Sequence, residues 1–310
     1  MNKILIFQTR PGIGDLVLFL SAIHQIAKQN KKHDIFLVTK ERTRAKDVLK
    51  YDQHIKKIIY LKDFTKNKKM NLILQTINIY KRLKKYDFNK VYIFHYGIRY
   101  FFLCKLMKIK SIFSYEFLKK NENISKKIYT KTKEWLRIKK YNTSANIILD
   151  KAFLNFKNKN SIAIGIGSSG LSRRWKLDSF IKLIKLINQK KKFRFYLVAG
   201  KNEKKDALKI IKKCKGININ SLCDKSIDSI MRTIRGSKFY VGTDSAFMHL
   251  SAALKIKSFA LFGDTPLNYA EYSKRIKPII PKNYKTITHG SNAMSKITVD
   301  HVWSNIQEFI

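Results

Sequence analysis

Residues 241–266 read VGTDSAFMHLSAALKIKSFALFGDTP, and this stretch decides the fold. A short apolar strand, Phe239–Val241, runs into the polar turn Gly242-Thr243-Asp244-Ser245. Helical spacing follows at once, with Phe247, Leu250, Ala253 and Leu254 on its inner side. A second apolar strand, Ser258–Phe262, then stops at Gly263-Asp264-Thr265-Pro266. Strand, polar loop, helix, strand and Gly/Pro loop make a βαβ unit whose loops gather at the carboxyl ends of two parallel strands. Open α/β sheets bind ligands at that edge. The backbone N–H groups of Ser245 and Ala246, free at a helix start, suit a phosphate.

The same grammar recurs outward from this unit. Upstream, Ser161–Gly165 is an apolar strand followed by the Gly/Ser loop Ile166–Leu171, which contains Ser168. Such a loop can hold phosphate through successive backbone N–H groups. Arg173 and Arg174 follow it as two rigid guanidinium forks matched to a diphosphate, although ordinary basic surface is the blander reading. Beyond the next strand, Phe193–Ala199, Glu203 can accept from ribose hydroxyls or cap a helix. His249, one turn inside its helix, reads either as a phosphate contact or as a packed residue bonded to the loop. Trp175 reads as a packing residue. The chain ends in a capped helix beginning at Thr298-Val299-Asp300.

The first half opens with the strand Lys3–Gln8 and the tight loop Thr9-Arg10-Pro11-Gly12-Ile13-Gly14. Asp15 then opens a helix packed through Leu16, Phe19, Ala22, Ile23 and Ile26. The glycine spacing is not a dinucleotide fingerprint, and a carboxylate at Asp15 would repel a pyrophosphate. Asp15 is therefore a first-turn acid stabilising its helix by about 0.5–2 kcal/mol, or a general base aimed at a substrate. Further strands are expected at Asp34–Val38, Lys56–Leu61 and Lys90–Phe94, with a helix over 70–86. His95 follows the last of these strands at the same sheet edge as Asp15. It can orient an acceptor together with Arg10 and Gly14, but a lone His there is more often a hydrogen-bonded loop residue. The stretch Asn121–Lys140 is a candidate basic helix against a membrane or an anionic acceptor. Composition relaxes over Asn142–Asn160, which places a domain boundary near 155, giving domains 1–155 and 156–310.

A length of 310 residues suits two such domains, and a hydrophobic fraction of 45% gives each a core. Cys104, Cys214 and Cys223 are odd in number, widely spaced and without metal-ligand spacing, which fits a reducing compartment and no disulfide framework. The first apolar run is strand-length, and no stretch reaches transmembrane length free of charges, so a cytoplasmic protein is expected. Lys and Arg number 65 against 21 Asp and Glu, a formal net charge of +44. General lysine-rich composition explains part of this, and attraction to an anionic membrane surface or acidic lipid substrate takes most of the rest. No nucleic-acid motif accompanies the lysines, so nucleic acid is not an expected partner.

Four segments together carry a resemblance: KILIFQTRPGIGDLVLFLSAI (3–23), GSSGLSRRWKLDSF (167–180), LVAGKNE (197–203) and FYVGTDSAFMHLSAALKIKSFALFGDTP (239–266). In this order and at these distances, they make the chain resemble the lipopolysaccharide heptosyltransferases, the ADP-heptose-dependent glycosyltransferases of family 9. The resemblance implies a GT-B fold of two Rossmann-like α/β domains facing each other across a cleft. The acceptor domain comes first and the nucleotide-sugar domain second, with the terminal helix packing back on the first. It implies an inverting, metal-independent transfer with no cofactor beyond the nucleotide-sugar co-substrate. Asp15 resembles the catalytic base and Asp244 the acid on the transferred sugar. Ser168, Arg173, Ser245, Ala246 and His249 resemble the contacts to the donor diphosphate, and Glu203 the contact to the ribose. The implied partners are an anionic glycolipid acceptor and the cytoplasmic face of the inner membrane, with the protein a monomer. Three departures stand out. Lys176 replaces a proline after the phosphate loop, Ala246 replaces a glycine in the donor turn, and Phe94-His95-Tyr96-Gly97 replaces a Leu-Gln-Gly pattern. A transferase for another sugar or acceptor is the alternative reading. A non-catalytic basic module binding membrane or nucleic acid is a third, and it predicts indifference to loss of Asp15.

Overall fold

A computed structural model of the chain describes residues 2–95, 97–116, 123–150 and 160–310. Contacts divide it into two compact units, Met1–Thr143 and Ser144–Ile310. The boundary expected at 155, and the element expected at Lys151-Ala152-Phe153, fall in 151–159, outside the described residues. The segment before them already belongs to the second unit. Ile147 donates its backbone N–H to the Ala253 carbonyl at 3.0 Å, and Ala145, Ile147 and Leu149 alternate inward as buried residues.

The first unit is one parallel sheet of β1 (Asn2–Phe7), β2 (His33–Lys40), β3 (Lys57–Leu61), β4 (Phe88–Ile93) and β5 (Ser111–Ser114), in the order β3-β2-β1-β4-β5. Covered on both faces, its inner strands are continuous apolar runs rather than alternating ones. Ile4, Leu5, Ile6 and Phe7 are all completely buried. Side-chain period two then sorts them between the two covers. Leu5, Phe7, Val38, Val91 and Ile93 share a core with α3 (Lys68–Leu83) and α4 (Ile98–Leu106). On the first helix, α1 (Ile13–Gln29), Phe19 meets Phe94 with ring centroids 5.2 Å apart. A short α2 (Ala45–Val48) lies between β2 and β3.

The candidate basic helix is α5 (Ile124–Leu136), and the first residues of the expected stretch, 121–122, fall outside the described residues. It is a packed helix, set against α1. Its Trp135 enters an aromatic cluster with Tyr92, Phe94 and Tyr115, and Lys127 is buried with its ammonium over the Tyr115 ring.

The second unit repeats the scheme with six parallel strands: β6 (Ser161–Gly165), β7 (Arg194–Val198), β8 (Ile219–Ser221), β9 (Phe239–Thr243), β10 (Lys257–Leu261) and β11 (Ile276–Ile279). Their order is β11-β10-β9-β6-β7-β8. Pro278, which cannot donate to a ladder, sits on edge strand β11. The connecting helices are α6 (Leu177–Lys190), α7 (Lys204–Lys213), α8 (Ile227–Gly236) and α9 (Ala246–Ala253). The terminal helix is α10 (Val299–Ile306). Its buried Val302 and Ile306 belong to the second unit's own core, and it packs on α6. Trp175 is buried in that core too, donating its indole N–H to the Ile297 carbonyl at 2.8 Å.

Candidate active site

In a doubly wound sheet the ligand crevice lies where successive crossovers leave in opposite directions. In the second unit that point is between β6 and β9, and in the first it is between β1 and β4. The candidate residues follow the carboxyl ends of these strands, except Glu203, which follows the neighbouring β7.

The β6/β9 junction is held by close backbone packing. A Cβ on Gly242 would lie 2.3 Å from the Gly165 carbonyl oxygen, so no larger residue fits without moving a strand. Beyond it, Thr243 donates its hydroxyl to the Gly167 carbonyl at 2.6 Å, fixing the Gly/Ser loop after β6 to the turn before α9. Ser168 closes its own loop by donating to the Gly170 carbonyl at 2.6 Å.

Ser245 is the N-cap of α9, yet its side chain makes no capping bond. Its hydroxyl lies 3.4 Å from that of Tyr240, a buried side chain that also donates to the Thr243 carbonyl at 2.9 Å. A serine at this position ordinarily accepts from the second or third helical N–H. Here Met248 donates its N–H to the Ser245 carbonyl at 3.1 Å instead, and among the described residues the Ser245 and Ala246 N–H groups have no backbone acceptor. Asp244 is buried and anchored by its N–H to the Leu261 carbonyl. His249 is buried behind the turn, its Nδ1 2.9 Å from the Tyr272 hydroxyl with the two rings stacked. Burial first, and then the Asp244 charge, push the Tyr272 phenol far up, so it stays a neutral partner.

The two adjacent arginines have different partners. Arg174 pairs with Glu203 at 2.9 Å and approaches Asp206 at 3.9 Å. Glu203 is buried, and its second oxygen is the near neighbour of a Cβ built on Gly167 or Gly200. Among the described residues Arg173 makes no ion pair. The Arg174 guanidinium is thus committed to Glu203, while the Arg173 charge acts on the Asp264 carboxylate.

Asp264 escaped the sequence reading. It accepts from the Ser172 hydroxyl at 2.5 Å and from the Asn292 N–H at 3.0 Å, tying three loops of this edge together. The Asn292 N–H first, then Ser172, hold its carboxyl below the usual carboxylate range. Its place in the Gly263–Pro266 loop was a signal, but its partners lie 28 and 92 residues away in sequence.

In the first unit α1 begins at Ile13, two residues earlier than expected, so Gly14 lies in its first turn rather than in the loop. Asp15 is the third helical residue. Its Oδ2 accepts from the Gly12 N–H at 3.0 Å and its Oδ1 from the Arg10 Nε at 2.7 Å. The capping geometry weighed against catalysis is therefore present, but each carboxylate oxygen retains a second lone pair for a substrate hydroxyl. A Cβ on Gly12 would come within 2.9 Å of the Asp15 Oδ2, so a larger residue there would shift that carboxylate. His95 follows β4, next to β1. Its Nδ1 accepts from the Gly97 N–H at 2.6 Å. Burial and the Arg99 charge hold it below its ordinary value. A neutral ring accepting at Nδ1 carries its proton on Nε2 and can donate from there.

The family model of glycosyltransferase family 9 (heptosyltransferase) matches residues 107–296, more than half of the chain. The chain belongs to this family. Among relatives, a lipooligosaccharide heptosyltransferase 2 of Campylobacter jejuni is 32% identical over 111 residues, a stretch covering 34% of this chain and 34% of that relative. Among solved structures, the glycosyl transferase family 9 protein of Veillonella parvula superposes with a TM-score of 0.79 at 14% identity, covering 99% of this chain and 97% of that one. Escherichia coli heptosyltransferase WaaC with ADP gives 0.76 at 15% identity, covering 99% and 100%. At such identities the likeness establishes the fold. This family 9 chain has two Rossmann-like domains of the GT-B class.

Proposed function

We propose that the protein is an inverting glycosyltransferase that moves a heptose or related sugar from an ADP-sugar to a lipopolysaccharide core acceptor. The observation that carries this reading is the donor turn. Ser245 turns its hydroxyl toward Tyr240 instead of capping α9, next to a phosphate loop fixed by Thr243 and followed by Arg173. That is a preorganised set of donors for a diphosphate leaving group. Support for the sugar and acceptor comes from the relative in Campylobacter jejuni and from the Escherichia coli enzyme, whose names state heptosyltransferase.

In this mechanism the acceptor hydroxyl oxygen attacks the anomeric carbon as the bond to the β-phosphate oxygen breaks, and the nucleoside diphosphate leaves with the bonding electrons. Arg173 and the Ser245 and Ala246 N–H groups stabilise the charge growing on the phosphate. Asp15 takes the acceptor proton, held in its rotamer by Arg10 and Gly12. Asp244 binds hydroxyls of the transferred sugar, Glu203 the ribose, and His249 the diphosphate side of the turn. His95 and Arg10 orient the acceptor, a membrane-anchored anionic glycolipid met at the cytoplasmic face. No metal enters this scheme.

Ala246 favours a second reading, a transferase of the same fold for another sugar, because its methyl occupies the turn nearest the phosphates. Transfer assays across ADP-, GDP- and UDP-sugars separate the two. Turnover of an ADP-heptose supports the first reading, and exclusive use of UDP-sugars contradicts it.

A further inference from the structure

Soluble domains scatter single exposed apolar residues over their surface, whereas a contiguous group marks a contact surface. Eleven large hydrophobic side chains are exposed among the described residues, and nine fall between Phe64 and Leu106, so this surface is a concentration rather than scatter. Helix α4 buries Tyr100, Leu103 and Cys104 against the sheet and turns Ile98, Phe102 and Leu106 outward, 50%, 60% and 66% exposed. Their i, i+4, i+8 spacing makes them one line along the helix. Helix α3 packs beside it through buried Gln75, Ile79 and Leu83, while Met70, Ile73 and Ile77 stay exposed. Arg99 stitches the two helices by donating to the Leu72 carbonyl and to Gln75, both at 3.3 Å. Asp63 holds the preceding loop on α3 through Asn71 and Gln75, which keeps exposed Phe64 at the head of the same surface.

Charge identifies the occupant. Between residues 62 and 110 there are thirteen Lys and Arg and two Asp. Lys66, Lys69, Lys81, Lys105 and Lys108 are exposed around the apolar line. A second copy of this chain would bring the same positive charge against it. A nucleic acid would satisfy the lysines and leave the aliphatic and Phe side chains in water. An anionic bilayer satisfies both, taking apolar side chains at headgroup depth and drawing lysines to its surface. Among the described residues no helix is long and apolar enough to cross a membrane.

We propose that the outer face of α3 and α4, with the Phe64 loop, is the surface by which the protein lies on an anionic lipid bilayer. This deepens the reading of a lipid-anchored acceptor, and it can be tested separately because vesicle binding needs no nucleotide sugar. The purified full chain is sedimented with vesicles of phosphatidylcholine alone and of phosphatidylcholine mixed with phosphatidylglycerol. Binding to the mixed vesicles, weakened at least about ten-fold by Ile73→Glu with Phe102→Glu, is expected. Ile77→Ser with Leu106→Ser should weaken it without adding charge, and Leu208→Glu, an exposed apolar position on α7, should leave it intact. All these side chains are exposed, and unchanged circular dichroism would verify the fold. Equal binding to neutral vesicles, or binding that ignores both patch variants, overturns the proposal. So does a dimer in light scattering that the patch variants dissolve while vesicle binding is absent. Vesicle binding by a protein that transfers no sugar would leave this inference standing and remove the transferase reading instead.

Discussion

Arg173 and Arg174 are neighbours of identical chemistry, and nothing local in the chain separates them. The Glu203 ion pair does, and it joins segments 29 residues apart. Arg173→Ala is accordingly expected to lower kcat by about 10²–10³-fold, the scale for losing one donor to a developing anion. Arg174→Ala should act mainly on KM for the donor by releasing Glu203. Steady-state kinetics on both variants reads this split, and equal losses of kcat would remove the distinction. Tyr272 was invisible in the sequence for a related reason, since it meets His249 only after the loop past β10 folds back. Tyr272→Phe leaves a buried imidazole nitrogen without that partner, at a cost of about 1–3 kcal/mol. Denaturant unfolding should show that loss, and donor titration should show weaker binding.

Elements were the most legible level. Parallel strands covered on both faces must be apolar along their whole length, so runs such as Lys3–Gln8 and Ser258–Phe262 declare themselves, and Gly/Pro loops mark their carboxyl ends. The start of α1 was misplaced because Gly12, unlike Ser or Asp, carries no side-chain capping signal. The extended segment 144–150 was unreadable because its inward set, Ala145, Ile147 and Leu149, is small and embedded in polar sequence. The exposed line on α4 was equally hidden, since its apolar residues look like core until burial separates them from Tyr100, Leu103 and Cys104. One tie between elements gives a pH prediction. Burial alone would raise the Asp52 carboxyl, but the His24 ring at 2.6 Å, with the His54 N–H, outweighs it and lowers the value below the ordinary 3.8. A depressed carboxyl contributes stability above its unfolded value and loses it as pH falls through the folded one. Asp52→Asn should therefore destabilise the first domain near neutrality, and the gap from the parent protein should close as pH drops below about 4. Thermal melts across that range measure it. A gap that widens in acid would contradict the assignment.

For the whole molecule, the two domains repeat one architecture with different chemistry at the switch point. The first presents a carboxylate at a helix start, and the second presents open N–H groups and a guanidinium at the corresponding edge. The family resemblance could be read from ordered motifs, but composition alone does not say which lysines flank the exposed apolar line of α4. We propose that catalysis draws on both domains, with the base in one and the donor-binding groups in the other. The most direct test is turnover and donor affinity of Asp15→Asn measured side by side, using an ADP-sugar that the parent protein turns over. A loss of about 10²–10⁴-fold in transfer with unchanged affinity for the nucleotide sugar is expected. Turnover within a few-fold of the parent would contradict it.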